Sequence, residues 1–122
     1  MKTRYMFGDG LKIAEKDREY IEERLEKVEK LLGRYDGQKE LLAEVDVKQD
    51  KKGFWQLEIM IQTPHQLYRV SKSDHVLSQA MDEIEQGMKK QIRREMERRK
   101  DLIKRGGRSI KKKVAIDELA RF

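Results

Sequence analysis

Apolar residues recur along this chain with two different periods. Ile21, Leu25, Val28 and Leu32 follow one another at i, i+4, i+7 and i+11, the spacing that draws one stripe down a helix over about 16–32. Charges fill the other faces, and Gly33 stands where a helix commonly stops. The period then falls to two. Over 42–50, Ala43, Val45 and Val47 alternate with Glu44, Asp46 and Lys48. Over 54–63, Trp55, Leu57, Ile59 and Ile61 alternate with Gln56, Glu58, Met60 and Gln62. Such alternation predicts strands of a sheet covered on one face. Residues 67–71 read as a third, shorter strand, and 3–7 as a weaker one, because Arg4 and Tyr5 break the pattern. The helical period returns with Leu77, Met81, Ile84, Met88 and Ile92, extended by Met96. Asp74 or Ser73 can cap that helix by accepting bonds from free backbone amides. Gly87 inside it should cost about 1 kcal/mol relative to Ala. Gly106-Gly107 predicts its end, near residue 104.

The predicted order is β-α-β-β-β-α. An α+β fold follows, with a four-stranded, mostly antiparallel sheet and two helices packed on one of its faces. The other face would turn Glu44, Asp46, Lys48, Glu58 and Met60 to solvent. The expected organisation is one domain over 1–104, followed by a basic, flexible tail over 105–122 that carries Arg108 and Lys111-Lys112-Lys113.

Composition narrows the chemistry. With 122 residues the chain suits one compact domain, and without cysteine it has neither disulfides nor a thiol nucleophile. No stretch approaches the roughly 18 apolar residues of a membrane span, and the N-terminal residues lack the apolar run of a signal peptide. A soluble, cytoplasmic protein is expected. The formal net charge of +6 is unevenly placed: residues 86–122 hold 14 Lys/Arg against 5 Asp/Glu, and residues 1–85 hold 15 against 18. A basic C-terminal end of this kind suits a polyanion.

Catalytic constellations are missing from the pattern. Gly8-Asp9-Gly10 is too short for a phosphate loop and lacks the following Lys-Ser/Thr. His65 and His75 have no second ligand at metal spacing, and Ser71, Ser73 and Ser78 have no His/Asp partner at recognisable spacing. Neither an enzymatic activity nor a cofactor, metal or small-molecule substrate is expected. The second helix is the best working surface. Lys89, Lys90, Arg93, Arg94, Arg98 and Arg99 fall away from the Met88/Ile92 stripe, and six bases face two acids over 89–99. Spacing of i, i+4 aligns Lys89 with Arg93, and Lys90 with Arg94 and Arg98, in rows that can meet successive phosphates and release counterions. Arg24, Lys27 and Lys30 add bases to the first helix, where Glu26 and Glu29 make an ordinary solvated face the plainer reading. Trp55 shares parity with Leu57, as a core or core-edge residue would. No aromatic strand motif for stacking bases occurs.

Three stretches, in this order, resemble a known family. Glu15-Lys-Asp-Arg-Glu-Tyr-Ile-Glu-Glu-Arg-Leu-Glu-Lys-Val-Glu-Lys30 is similar to the first helix of the ribosome hibernation promoting factor and ribosome-associated inhibitor family, also called the sigma-54 modulation protein family. Leu57-Glu-Ile-Met-Ile-Gln-Thr-Pro64 looks like its third strand and following turn, and Met88-Lys-Lys-Gln-Ile-Arg-Arg94 like its Leu-x-Arg-Gln-Leu-Arg-Lys run. The resemblance covers about residues 2–100. It implies a monomeric translation inhibitor that binds the ribosomal RNA of the small subunit, alone or in the intact ribosome, and occupies the decoding channel. Under it, Arg24, Lys27, Lys30, Lys90, Arg93 and Arg94 match contact positions, Lys89 adds a base where the family often has an acid, and Gly87 and Gln56 replace bases. It also implies a short form, without the domain that pairs ribosomes in longer members. Two other readings stay open: a general binder of structured RNA, and a protein-protein modulator of transcription.

Overall fold

The computed structural model describes residues 1–8, 10–36 and 41–113, with side chains for all of these except 34–36 and 105–113. The elements are β1 (Lys2–Phe7), α1 (Glu15–Asp36), β2 (Leu42–Gln49), β3 (Trp55–Gln62), β4 (Leu67–Asp74) and α2 (Leu77–Lys113). A first compact unit comprises Met1–Ile92, and a second begins at Arg93.

Within the first unit the sheet runs β1-β2-β3-β4. β2 and β3, and β3 and β4, pair antiparallel, while β1 pairs parallel to β2. A parallel pair cannot be joined by a tight turn and needs a crossover; α1 supplies it. The antiparallel pairs need only short turns, and the side chains there explain them. The Asp50 carboxylate accepts from the backbone amides of Lys52 and Phe54, both at 2.9 Å, and Gly53 adopts φ 88°, a region open to glycine at little cost. At the next turn the buried Thr63 hydroxyl accepts from the Gln66 amide at 2.9 Å, and Pro64 lies between them.

Register assembles the core. The row Tyr5–Val45–Ile59–Val70 crosses all four strands, and Ala43–Ile61–Tyr68 and Val47–Leu57 flank it. From β2 to β4 these side chains are buried, together with Ile21, Leu25, Val28 and Leu32 of α1 and Leu77, Ala80, Met81, Ile84, Met88 and Ile92 of α2. Both apolar stripes therefore cover one sheet face, as the two periods require. The opposite face carries Arg4, Glu44, Met60 and Arg69 in one row and Met6, Asp46, Glu58 and Ser71 in the next. Trp55 is half-buried at the end of its strand, beside Gln49 and Asp74.

At Gly87, α2 packs close against Val70 of β4. A β-carbon there would stand 3.1 Å from Val70 Cγ1, inside ordinary carbon–carbon contact of about 3.5–4.0 Å. The propensity cost of this glycine is thus offset by helix–sheet packing.

Four expectations about element ends need correction. α1 continues through Gly33 to Asp36: fully buried Leu32 anchors this turn, and packing outweighs a propensity cost of about 1 kcal/mol. α2 likewise runs past residue 104 and past Gly106-Gly107 to Lys113, since glycine lowers helix propensity without barring helical dihedrals. β4 reaches Asp74 rather than residue 71, because the ladder to Trp55 and Gln56 pairs backbone groups whatever the side chains. Asp74 does not cap the first turn. Its carboxylate accepts from the Val76 amide at 3.0 Å, and the Val76 carbonyl accepts from Gln79 and Ala80. Of the expected tail, residues 114–122 lie outside the described residues.

Candidate nucleic-acid interface

The basic residues singled out from the sequence fall into two groups once their partners are seen. In the first unit a polar seam joins α1 to α2. Tyr20 and Arg24 are one turn apart on α1, and Asp82, Glu85 and Lys89 line the facing side of α2. Arg24 Nη1 donates to Glu85 Oε1 at 3.0 Å, and Arg24 Nε lies 3.5 Å from Asp82 Oδ1. The Arg24 guanidinium sits 4.9 Å from the centroid of the Tyr20 ring, close enough for a cation–π contact. The Tyr20 hydroxyl donates to Asp82. Lys89 Nζ approaches the other Glu85 oxygen at 3.2 Å. Glu85 is buried, and a buried carboxylate requires this kind of pairing. Hydrogen bonding to Asp82, and then burial, push the Tyr20 phenol above its ordinary value. Arg24 and Lys89 are therefore bound inward, and Glu85 and Asp82 together offset their charges.

Lys30 is exposed and stands 3.7 Å from Glu26, an i, i+4 surface pair that water competes with easily. Lys27 and Lys90 are exposed and make no ion pair among the described residues.

The second unit repeats the division. Arg93 and Arg94 are exposed and unpaired among the described residues. Arg98 instead grips Glu95 with two bonds, Nη2 to Oε1 at 2.6 Å and Nε to Oε2 at 3.1 Å. Arg99 Nε lies 3.5 Å from the same carboxylate, and its Nη1 donates to Met96 Sδ at 3.7 Å. The Arg98 bonds hold the Glu95 carboxyl below its usual range, and Glu95 in turn raises Arg98.

The seam residues Tyr20, Asp82 and Glu85 escape a reading of the sequence, because they are 61 and 62 positions from their partners and no local spacing announces them. The Glu95 clamp is legible in principle from its i+3 and i+4 arginines. Elsewhere, His75 stacks on Phe54 with ring centroids 3.8 Å apart, and His65 sits exposed in the turn after β3. Among the described residues no group of three or more His, Cys, Asp or Glu side chains is placed to hold a metal, and no helix is long and apolar enough to cross a membrane. An open recess of about 390 Å³ between β1 and α1 is lined by Glu22, Glu26 and Glu29, a setting that repels anions. At its edge the Tyr5 hydroxyl donates to Glu22 at 3.1 Å under the Arg18 guanidinium. Burial first, and then Glu22, push Tyr5 up to about 12.

Fold and surface together define a class: an α+β domain whose helices carry exposed, uncompensated cations and whose described residues offer no metal-binding cluster. The chain belongs to the Sigma 54 modulation protein / S30EA ribosomal protein family, which it matches over residues 6–100. It is similar to the N-terminal domain of Protein Y from Thermus thermophilus, at 28% identity and a TM-score of 0.54, over 74% of this chain and 98% of that one. A ribosomal subunit interface protein from Coxiella burnetii shares the fold, with a TM-score of 0.62 over 79% of this chain and 98% of that one, at 14% identity. Among curated proteins none matches this chain.

Proposed function

We propose that this protein is a ribosome-bound hibernation factor. It binds the small ribosomal subunit through ribosomal RNA and occupies the decoding channel, so that translation is blocked by exclusion rather than by catalysis. The family match over residues 6–100 carries this reading, and the subunit interface named for the Coxiella burnetii relative agrees with it. Lys27, Lys90, Arg93 and Arg94 are the contacts proposed first, because phosphate can reach them without breaking an existing ion pair. Arg24, Lys30, Lys89, Arg98 and Arg99 contribute less directly, since each already faces a carboxylate.

Co-sedimentation with bacterial ribosomes through sucrose gradients tests the proposal. Binding should follow the small subunit and the intact ribosome and weaken as salt rises, by roughly 0.7–0.9 in log–log slope per phosphate contact. Reversing charge at Lys90→Glu, Arg93→Glu and Arg94→Glu together should abolish comigration with helix content unchanged. Comigration retained by the folded triple variant would remove these residues from the mechanism. Displacement by unrelated duplex RNA would favour a general binder of structured RNA.

A further inference from the structure

One glutamate and two arginines of α2 make an arrangement that RNA binding alone does not require. Glu95 is only 12% exposed in its side chain, and it engages Arg98 through both carboxylate oxygens and Arg99 through one. Bidentate, charge-assisted bonds of this geometry are among the strongest polar contacts available to a side chain. The partners are three and four residues apart on one helix, so the helix itself holds both arginines within reach of the carboxylate. A phosphate competing for Arg98 would displace a carboxylate and leave Glu95 with only the longer Arg99 contact, beside a polyanion. Glu97, two positions on, makes a contrast: it is exposed and has no ion pair among the described residues.

We propose that Glu95 is an affinity-limiting residue, which withholds Arg98 and Arg99 from RNA phosphates and leaves binding along α2 to Lys90, Arg93 and Arg94. The inference rests on the RNA-binding reading above and adds an internal competitor to it. Two guanidiniums held by one carboxylate present a single net positive charge where the two arginines alone would present two. The same logic operates at Glu85, which turns Arg24 and Lys89 inward; there, however, the acid also joins the helices, so its removal would confound binding with folding. Glu95 pairs within its own helix, and its replacement separates the two effects. The consequence is a weaker, less salt-steep association than the base count predicts, and so a complex that can be reversed.

Equilibrium binding to purified bacterial small ribosomal subunits, measured over a range of KCl concentrations, tests this. Glu95→Gln should tighten binding several-fold and steepen the salt slope by about 0.7–1.8, the equivalent of one to two added phosphates neutralised. Glu97→Gln, which removes the same charge without opening a clamp, should leave the slope unchanged. Arg98→Gln should hardly alter the slope in the wild-type background, yet lower it by about 0.7–0.9 in the Glu95→Gln background. Far-UV circular dichroism of each variant, matching the wild type, shows that the helix is retained. An unchanged slope in Glu95→Gln, an equal steepening in Glu97→Gln, or a slope lowered by that same amount in Arg98→Gln alone would each overturn the inference while leaving RNA binding standing. A wild-type protein without salt-dependent binding would overturn both together.

Discussion

Gly87→Ala sets two local forces against each other, and the structure gives the size of each. Alanine in mid-helix is worth about 1 kcal/mol over glycine. The new methyl, however, would lie 3.1 Å from Val70 Cγ1 and 3.6 Å from Cγ2. Ordinary contact is about 3.5–4.0 Å, so Val70 or α2 must move by several tenths of an ångström. Val70 is buried in the central row of the sheet, and overpacking such a site typically costs about 1–3 kcal/mol. The single variant should therefore be destabilised by roughly 0–2 kcal/mol. Val70→Ala removes both γ-methyls and should cost about 2 kcal/mol by itself. With those methyls gone, the nearest remaining atom is the β-carbon of residue 70 at 4.0 Å, an unstrained distance. Gly87→Ala should then return its full gain of about 1 kcal/mol. The coupling between the positions is thus about 1–3 kcal/mol, measurable from urea unfolding followed by far-UV circular dichroism, with m-values compared across the cycle. A coupling below about 0.5 kcal/mol would refute the claim that close approach of helix and strand is what keeps a glycine here.

Three further outcomes follow from particular contacts. Gly53→Ala meets no atom within 4 Å but must hold φ 88°, so it should cost about 1–2 kcal/mol by backbone strain alone, read as a lowered urea midpoint. Tyr5, pushed up to about 12 by burial and Glu22, keeps its proton in the folded state at pH values where an unfolded tyrosine, near 10, has lost it. Its contribution is complete below pH 10 and declines between about 10 and 12, so Tyr5→Phe should flatten the alkaline loss of stability in pH-dependent unfolding; an unchanged alkaline limb would refute the assignment. Arg24→Gln and Lys27→Gln should separate the two helix-1 roles. The first should lower the melting temperature through the Glu85 seam and change RNA affinity mainly by that route, and the second should lower affinity alone.

Much of the fold is legible because two periods state two kinds of surface. The α1 stripe, the α2 stripe to Ile92 and the alternation in β2 and β3 appear as buried side chains at the positions the periods mark, half-buried Trp55 excepted. Element ends are less legible, since they depend on what lies across the sheet. Ser71, Lys72, Ser73 and Asp74 carry no apolar signal, yet they extend β4 because β3 offers them backbone partners as far as Trp55. Gly33 reads as a stop when propensity is considered alone, and stops nothing once Leu32 is anchored.

The site is legible as a set of bases but not as a set of free charges. Arg24 and Lys27 are both polar positions on the outer faces of one amphipathic helix, three residues apart. Arg24 reaches an acid 61 positions downstream, and Lys27 reaches none among the described residues. Only the docking of α1 beside α2 decides which of them is available to an outside anion. Arg94 and Arg98, one turn apart on α2, also differ, here because Glu95 of the same helix engages the second. A base count therefore overstates the electrostatic footprint, because the acids interleaved with the bases choose partners by geometry and not by proportion. The salt slope counts the phosphates actually neutralised. If a wild-type slope required all the candidate bases at once, the carboxylate pairing of Arg24, Lys89, Arg98 and Arg99 would have to open on binding, and the interface would be one that forms on the RNA rather than one already present.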